Sequence, residues 1–209
     1  MADVAALPAA SVIVLRDDPF EVLMLRRHEK ASFVPNVWVF PGGAVDDEDA
    51  RASTLETMRV AAARELFEES GIWLGAPLTG AEEKRRALLA GELAFGQLLD
   101  ESPVAFEERL VWTSHWITPN GVPKRFDTYF FLAAVPRETA ASLHGDEAVD
   151  LRWIAPAAAL ESLEMIFPTI KNLEAIRPFT NSTELIASRR GADIPALQPI
   201  IVDRKIVLP

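Results

Sequence analysis

Residues 53–71 constrain this chain more than any other stretch. Ser53-Thr54-Leu55-Glu56 fits a capping box, with Ser53 as N-cap and Glu56 at the third helical position. Leu55, Met58, Ala62 and Leu66 then recur at helical spacing, and Gly71 supplies a stop. The predicted helix carries Glu65, Glu68 and Glu69, and offsets of three and four residues put the three carboxylates along one side of it. Like charges at that spacing repel, and a hard divalent cation with oxygen ligands relieves the repulsion. The alternative is an ordinary solvated acidic face, and the periodicity argues against it. With the four apolar residues taken as the buried stripe, Glu69 falls roughly 40° and Glu65 roughly 80° from its centre, while Arg64 lies nearly opposite. Carboxylates bordering a buried stripe are poorly hydrated and need partners.

The flanking sequence supplies strands. Residues 11–15 and 20–25 read as two strands joined through Asp17-Asp18-Pro19, and residues 37–40 as a third, stopped by Pro41-Gly42-Gly43. A proline followed by two glycines bends the backbone and lets it approach a ligand or metal closely. A second helix is predicted over residues 82–99, weakened by Gly91 and Gly96. Further strands are expected over residues 111–117, 128–135 and 151–154, then helices starting near Pro156 and Pro168. A capped helix follows Asn181, and a hairpin over residues 200–208 turns at Asp203-Arg204. The pattern is that of an α+β layered domain. The expected division is a catalytic domain over residues 1–155 and a helical C-terminal extension over 156–209, ending in the hairpin. Leu160, Leu163, Ile166, Leu173 and Ile176 in that extension need cover, from the core of the same chain or from a second subunit, so a homodimer is expected.

Charge and composition narrow the partners. A net charge of −10 argues against a nucleic-acid-binding surface, which works by basic neutralisation of phosphates. A small anionic substrate stays open, because one bound metal reverses the local field. The chain has no cysteine, which excludes disulfides, thiolate zinc sites and cysteine nucleophiles. No apolar run approaches membrane-spanning length, so no membrane association and a cytoplasmic location are expected.

The acidic helix resembles the signature of the Nudix family, which runs Gly, five residues, Glu, seven residues, Arg-Glu-apolar-any-Glu-Glu-any-Gly-apolar. Here Glu56 is followed after seven residues by Arg64-Glu65-Leu66-Phe67-Glu68-Glu69-Ser70-Gly71-Ile72. The departure lies upstream, where twelve residues instead of five separate Gly43 from Glu56. An acidic loop with Asp46, Asp47, Glu48 and Asp49 therefore reads as an insertion, expected beside the mouth of the site, where it would restrict substrate shape without coordinating metal.

The resemblance implies an α/β/α sandwich around a mixed β-sheet and a Mg²⁺-dependent hydrolase, with Mn²⁺ as a substitute, that cleaves a pyrophosphate bond. It implies Glu65 and Glu69 as principal metal ligands, Glu68 as a further or assisting one, and the Gly43 carbonyl as a contributor. Glu56 and Arg64 correspond to the family pair that braces the loop–helix–loop element. The general base in the family is a helix glutamate or a later carboxylate; Glu147, ahead of the Trp153 strand, is the preferred later candidate. The chain lacks a Gly-Lys-Ser or Gly-Lys-Thr phosphate loop, which leaves phosphate recognition to the metal, assisted by Arg26, Arg27, Lys30, Lys124 or Arg125. His115 and the strand aromatics read as packed residues. The run Phe33-Val34-Pro35-Asn36-Val37-Trp38-Val39-Phe40-Pro41-Gly42-Gly43, the lengthened signature, Trp116-Ile117-Thr118-Pro119 and Arg125-Phe126-Asp127-Thr128 are similar to the coenzyme A diphosphatase (NUDT19-type) branch. That similarity implies coenzyme A or acyl-coenzyme A as substrate. ADP-ribose or NADH hydrolysis, or nucleotide binding without turnover, are the alternatives.

Overall fold

The apolar run near the start of the chain becomes an interior strand, β1 (Leu7–Arg16), buried from Ala9 through Leu15. Continuous burial on both faces is what a strand with helices packed on either side requires. In this computed structural model, which describes residues 4–30, 34–144, 147–203 and 205–208, Val12 and Val14 enter one apolar cluster and Ile13 and Leu15 another. Phe33 and the turn residue Arg204 lie outside the described residues.

β1 pairs in parallel with β6 (Phe126–Ala134), and β6 pairs antiparallel with β5 (Val111–Ile117). On its other edge β1 changes partner along its length. Residues Ala9 to Ser11 pair with β4 (Gly42–Ala44), whereas Leu15 and Arg16 pair with β2 (Glu21–Arg27). β2 in turn carries β3 (Trp38–Val39) and β7 (Ala148–Ile154), and β8 (Ala196–Leu197) joins beyond β5 in parallel. Among the described residues these strands form one mixed sheet, with a separate hairpin of β9 (Ile200–Val202) and β10 (Lys205–Val207). Among the described residues no helix is long and apolar enough to cross a membrane.

Helices cover both faces. α1 (Thr54–Ser70), α2 (Ala81–Leu89), α3 (Phe95–Glu101) and α4 (Phe106–Arg109) contribute to the cluster with Val12, Val14 and Phe131. α5 (Pro156–Ser162), α6 (Phe167–Ile176) and α7 (Ser182–Arg189) contribute to the cluster with Ile13, Leu15 and Leu132. The result is an α/β/α sandwich around a mixed sheet, with helices at the C-terminal end forming its second layer. Leu173 and Ile176 are fully buried in that layer, and Leu160 and Leu163 pack against it, so this apolar surface covers the core of its own chain.

Three expectations shift. The helix predicted over residues 82–99 is two helices, broken where Gly91 takes φ 70, a left-handed conformation that glycine adopts without steric cost. Pro41-Gly42-Gly43 ends one strand but opens another, because β4 pairs with β1 immediately afterwards. α1 has its expected ends, with the Ser53 capping box and Gly71 in the left-handed cap. It is, however, buried nearly all round from Met58 to Phe67, not along one stripe. Packing against β1, β4 and α2 surrounds it, so Arg64, expected on the far side, is buried.

Leu173 is 0 % exposed beneath the sheet. Leu173→Ala is expected to destabilise the whole chain by about 2–5 kcal/mol, with urea transitions followed by circular dichroism and by tryptophan fluorescence remaining coincident. Separate transitions would mean that the second helical layer folds independently.

Candidate active site

Arg64 organises the site. Its Nε and Nη2 donate to the Asp49 carboxylate at 2.8–3.3 Å, Nη2 also donates to the Ala44 carbonyl at 2.9 Å, and Nη1 reaches Glu65 at 2.9 Å and Glu68 at 3.0 Å. Burial pulls the Arg64 pKa down, but the hydrogen bonds to Asp49 and the charges of Glu65, Asp49 and Glu68 more than offset it, leaving the guanidinium firmly charged. Asp46 stands 3.5 Å away at the exposed side.

The bracing partner differs from the sequence expectation. Glu56 does not reach Arg64; it closes the helix cap on Ser53, accepting from the Ser53 N–H and hydroxyl at 3.0 and 2.9 Å. Asp49, 1 % exposed, takes the place beside Arg64. Asp49 follows Gly43 after five intervening residues, which is the signature's own spacing for its acidic residue. The extra length therefore lies after Asp49, and the signal was present in that spacing but hidden by the match of Glu56. Of the acidic loop, Asp46 lines the cavity, Asp47 and Glu48 are exposed, and Asp49 is a buried clasp.

Glu69 lies beyond the reach of Arg64. Its Oε2 accepts the Gly42 N–H at 2.8 Å, across the place where β1 exchanges β4 for β2. A Cβ on Gly43 would stand 2.5–2.6 Å from the Glu65 carboxyl group, so the β4 backbone and that carboxyl group are in close approach, and any side chain there would displace the carboxyl group. Burial, reinforced by the neighbouring Glu65 charge, pushes Glu69 up to about 8. Burial also pushes Glu65 up to about 7 despite the adjacent Arg64, and raises Glu68.

These groups border a cavity of about 820 Å³, lined by Gly42, Gly43, Glu65, Glu68, Glu69 and Glu147 on its acidic side. Glu147 is exposed, its carbonyl accepts the His28 N–H at 3.0 Å, and its charge acts on both Glu65 and Glu69. Of the basic candidates, Arg27 and Lys124 line the cavity, whereas Arg26 and Lys30 do not. Arg125 is buried and donates to the Thr118 and Val4 carbonyls, a structural role. His115 is a packed strand residue in contact with Asp127 and Tyr129, as expected.

Among the described residues no group of three or more Asp, Glu or His side chains converges as a metal-ligand set. Glu65 and Glu68 turn toward Arg64 and Glu69 toward Gly42. The donor chemistry nonetheless fits a hard divalent cation: Glu65 and Glu69 are carboxylates whose proton affinity is raised by burial and by neighbouring acidic charge, beside a glycine backbone.

A residue without a sequence signal completes the frame. Arg85 of α2 is fully buried, with Nε on the Glu68 carbonyl at 2.9 Å and both terminal nitrogens on Ser142 at 3.0 Å. It satisfies a carbonyl at the C-terminal end of α1, whose last turn has no basic residue of its own.

Two measurements follow. Asp49→Ala leaves Arg64 buried with unmatched donors and is expected to cost about 3–5 kcal/mol in urea unfolding, whereas Glu56→Ala removes one exposed cap and costs about 1 kcal/mol. Equal losses would refute the assignment of Asp49 as clasp. The raised carboxylates also set a pH dependence. Between about pH 5 and 8 the unfolded chain has released the Glu65 and Glu69 protons that the folded chain retains, so stability falls as pH rises through that window. In EDTA the melting temperature should drop by at least about 3 °C across it, and Mg²⁺ should flatten the decline.

The chain matches the NUDIX domain family model over residues 6–173. It is 35% identical to nudix hydrolase 7 of Caenorhabditis elegans, over 73% of this chain and 52% of that protein. It is 26% identical to the acyl-coenzyme A diphosphatase NUDT19 of Xenopus laevis, over 68% and 54%. The chain thus spans about half the length of these curated relatives. The crystal structure of a NUDIX hydrolase from Alicyclobacillus acidocaldarius superposes with a TM-score of 0.76 at 26% identity, covering 88% of this chain and 96% of that one. Signature, sandwich and superposition agree, and the chain belongs to the Nudix family.

Proposed function

We propose that this chain is a pyrophosphohydrolase acting on a nucleoside diphosphate linked to a second moiety, with coenzyme A or acyl-coenzyme A as the first candidate. The observation that carries the reading is the cluster of desolvated carboxylates, Glu65 and Glu69 with Glu68 beside them, opening on a cavity large enough for a dinucleotide-sized ligand. Coenzyme A ranks ahead of ADP-ribose and NADH because of the NUDT19 similarity and the apolar remainder of the cavity wall. A binding module without turnover is disfavoured, since desolvating three carboxylates together is costly and binding alone does not require it.

Glu65, Glu68 and Glu69 would hold Mg²⁺ or Mn²⁺, with the Gly43 carbonyl as a further oxygen donor. Such an ion neutralises phosphate oxygens and lowers the pKa of a water. Arg64 fixes the side-chain directions of Glu65 and Glu68. Arg27 and Lys124 offer charge to the remaining phosphate oxygens. We assign to Glu147 the acceptance of the proton from the attacking water, a reading supported by its exposure at the cavity and by its charge acting on both Glu65 and Glu69. We place this hydrolysis in the cytoplasm, where a cysteine-free chain suits a reducing interior.

Glu69→Gln preserves volume and removes the carboxylate. It is expected to lower turnover at least about 100-fold with Mg²⁺ while raising the metal-free melting temperature at pH 8, where the wild-type carboxyl begins to ionise in a buried place. The assay is product chromatography with coenzyme A, acetyl-coenzyme A, ADP-ribose and NADH, with EDTA as the blank. Wild-type turnover in the folded variant, or activity indifferent to EDTA, would overturn the metal assignment.

A further inference from the structure

The C-terminal hairpin pairs with no other strand among the described residues, and Ile200, Ile201, Val202, Ile206, Val207 and Leu208 are all exposed. An isolated two-stranded hairpin is marginal in water, so such a concentration of apolar side chains needs an occupant. The register settles which side chains share a face. Ile201 stands opposite Ile206, and Ile200 and Val202 stand opposite Val207 and Lys205 on the other face.

Only the first face borders the catalytic cavity: Ile201 and Ile206 line it, and the outer-face residues do not. The hairpin begins two residues after β8, which the sheet order separates from β1 by β6 and β5, three strand spacings or roughly 14 Å. The carboxylates gather at β4, on the opposite edge of β1. The hairpin therefore comes to the cavity from the side remote from the carboxylates. Val122, in the loop after β5, and Phe167, edge-on to Trp116 of β5, line it too. Gln198, at the base of the hairpin, donates to the Asn120 side chain at 3.0 Å and ties it to the loop that carries Val122.

We propose that Ile201 and Ile206 form an apolar subsite for an alkyl or acyl portion of the substrate, so that the cavity selects molecules with a diphosphate at one end and a hydrocarbon chain at the other. This rests on the reading of the acidic side as the diphosphate end. The inward face borders the same cavity as that side, which suits a ligand reaching from one to the other.

The test uses ligands that cannot be hydrolysed at a pyrophosphate. Ethyl, hexyl and octyl phosphate monoesters are titrated calorimetrically into the full chain with Mg²⁺ present. The wild type is expected to bind the octyl ester at least about tenfold more tightly than the ethyl ester, a modest part of what burying six methylenes can contribute. Ile201→Thr with Ile206→Thr keeps strand propensity and removes apolar surface, and the ratio should fall below about twofold. Ile200→Thr with Val207→Thr, on the outer face, should leave it unchanged. Chain-length-independent affinity in the wild type, an unaltered ratio in the inner-face variant, or an inner-face variant that changes only the oligomeric state by light scattering would each overturn the subsite. Turnover of coenzyme A with Mg²⁺ reports separately on the pyrophosphohydrolase reading, so the two fail independently.

Discussion

The buried Arg64 guanidinium is the interaction on which the rest of the site depends. A charge that deep is tolerable only when its donors are matched, and Asp49, Glu65, Glu68 and the Ala44 carbonyl match them. The same charge makes the neighbouring carboxylates tolerable to one another. Two of the three helix glutamates are held by this cation, and the third, Glu69, is held by the Gly42 N–H instead. Burial pushes the proton affinity of both Glu65 and Glu69 up, opposed at Glu65 by Arg64 and at Glu69 by the Gly42 N–H.

Backbone geometry supplies what the cation does not. β1 leaves β4 after Ser11 and reaches β2 only at Leu15, and the Val12 N–H is satisfied between them by the Pro41 carbonyl at 2.8 Å. That carbonyl also accepts the Ser11 hydroxyl at 2.8 Å, so the turn ahead of the two glycines is fixed at both of its approaches to β1. The chain then passes close beside β1, where a Cβ on Gly42 would meet the Ala10 carbonyl at 2.4 Å. The change of strand partner thus falls beside the point where α1 presents Glu69 to the first backbone N–H of β4.

The sequence was most legible where local rules and tertiary demands coincide. The ends of α1 followed from Ser53, Glu56 and Gly71, because capping is decided within one turn of chain. β1 and β6 followed from apolar runs that a doubly covered sheet needs. What escaped was decided by contacts between distant residues. Asp49 looked like one of four loop acids until its burial against Arg64 distinguished it from Asp47 and Glu48. Arg85 looked like any polar helix residue, since nothing in its neighbours announces that its partners are Glu68 and Ser142. The burial of Arg64 escaped the apolar stripe of α1 for a related reason. A helix enclosed on all sides carries no single polar face, so angular distance from an apolar stripe no longer measures exposure.

The overall charge of −10 gives the acidic site a further consequence. A diphosphate approaching Glu65, Glu68, Glu69, Asp46 and Glu147 meets repulsion that Arg27 and Lys124 only partly offset. On the proposed reading, a divalent ion held by the glutamates inverts that field locally, so ion and diphosphate each raise the affinity of the site for the other. The coupling is reciprocal, and it permits an acidic protein to take an anionic substrate without a basic surface. It also separates the two jobs of the cavity wall. On that reading the carboxylate side would gain its selectivity for phosphates from the ion, and the rest of the wall would be left to distinguish one phosphate ester from another by the size and polarity of what the phosphate carries.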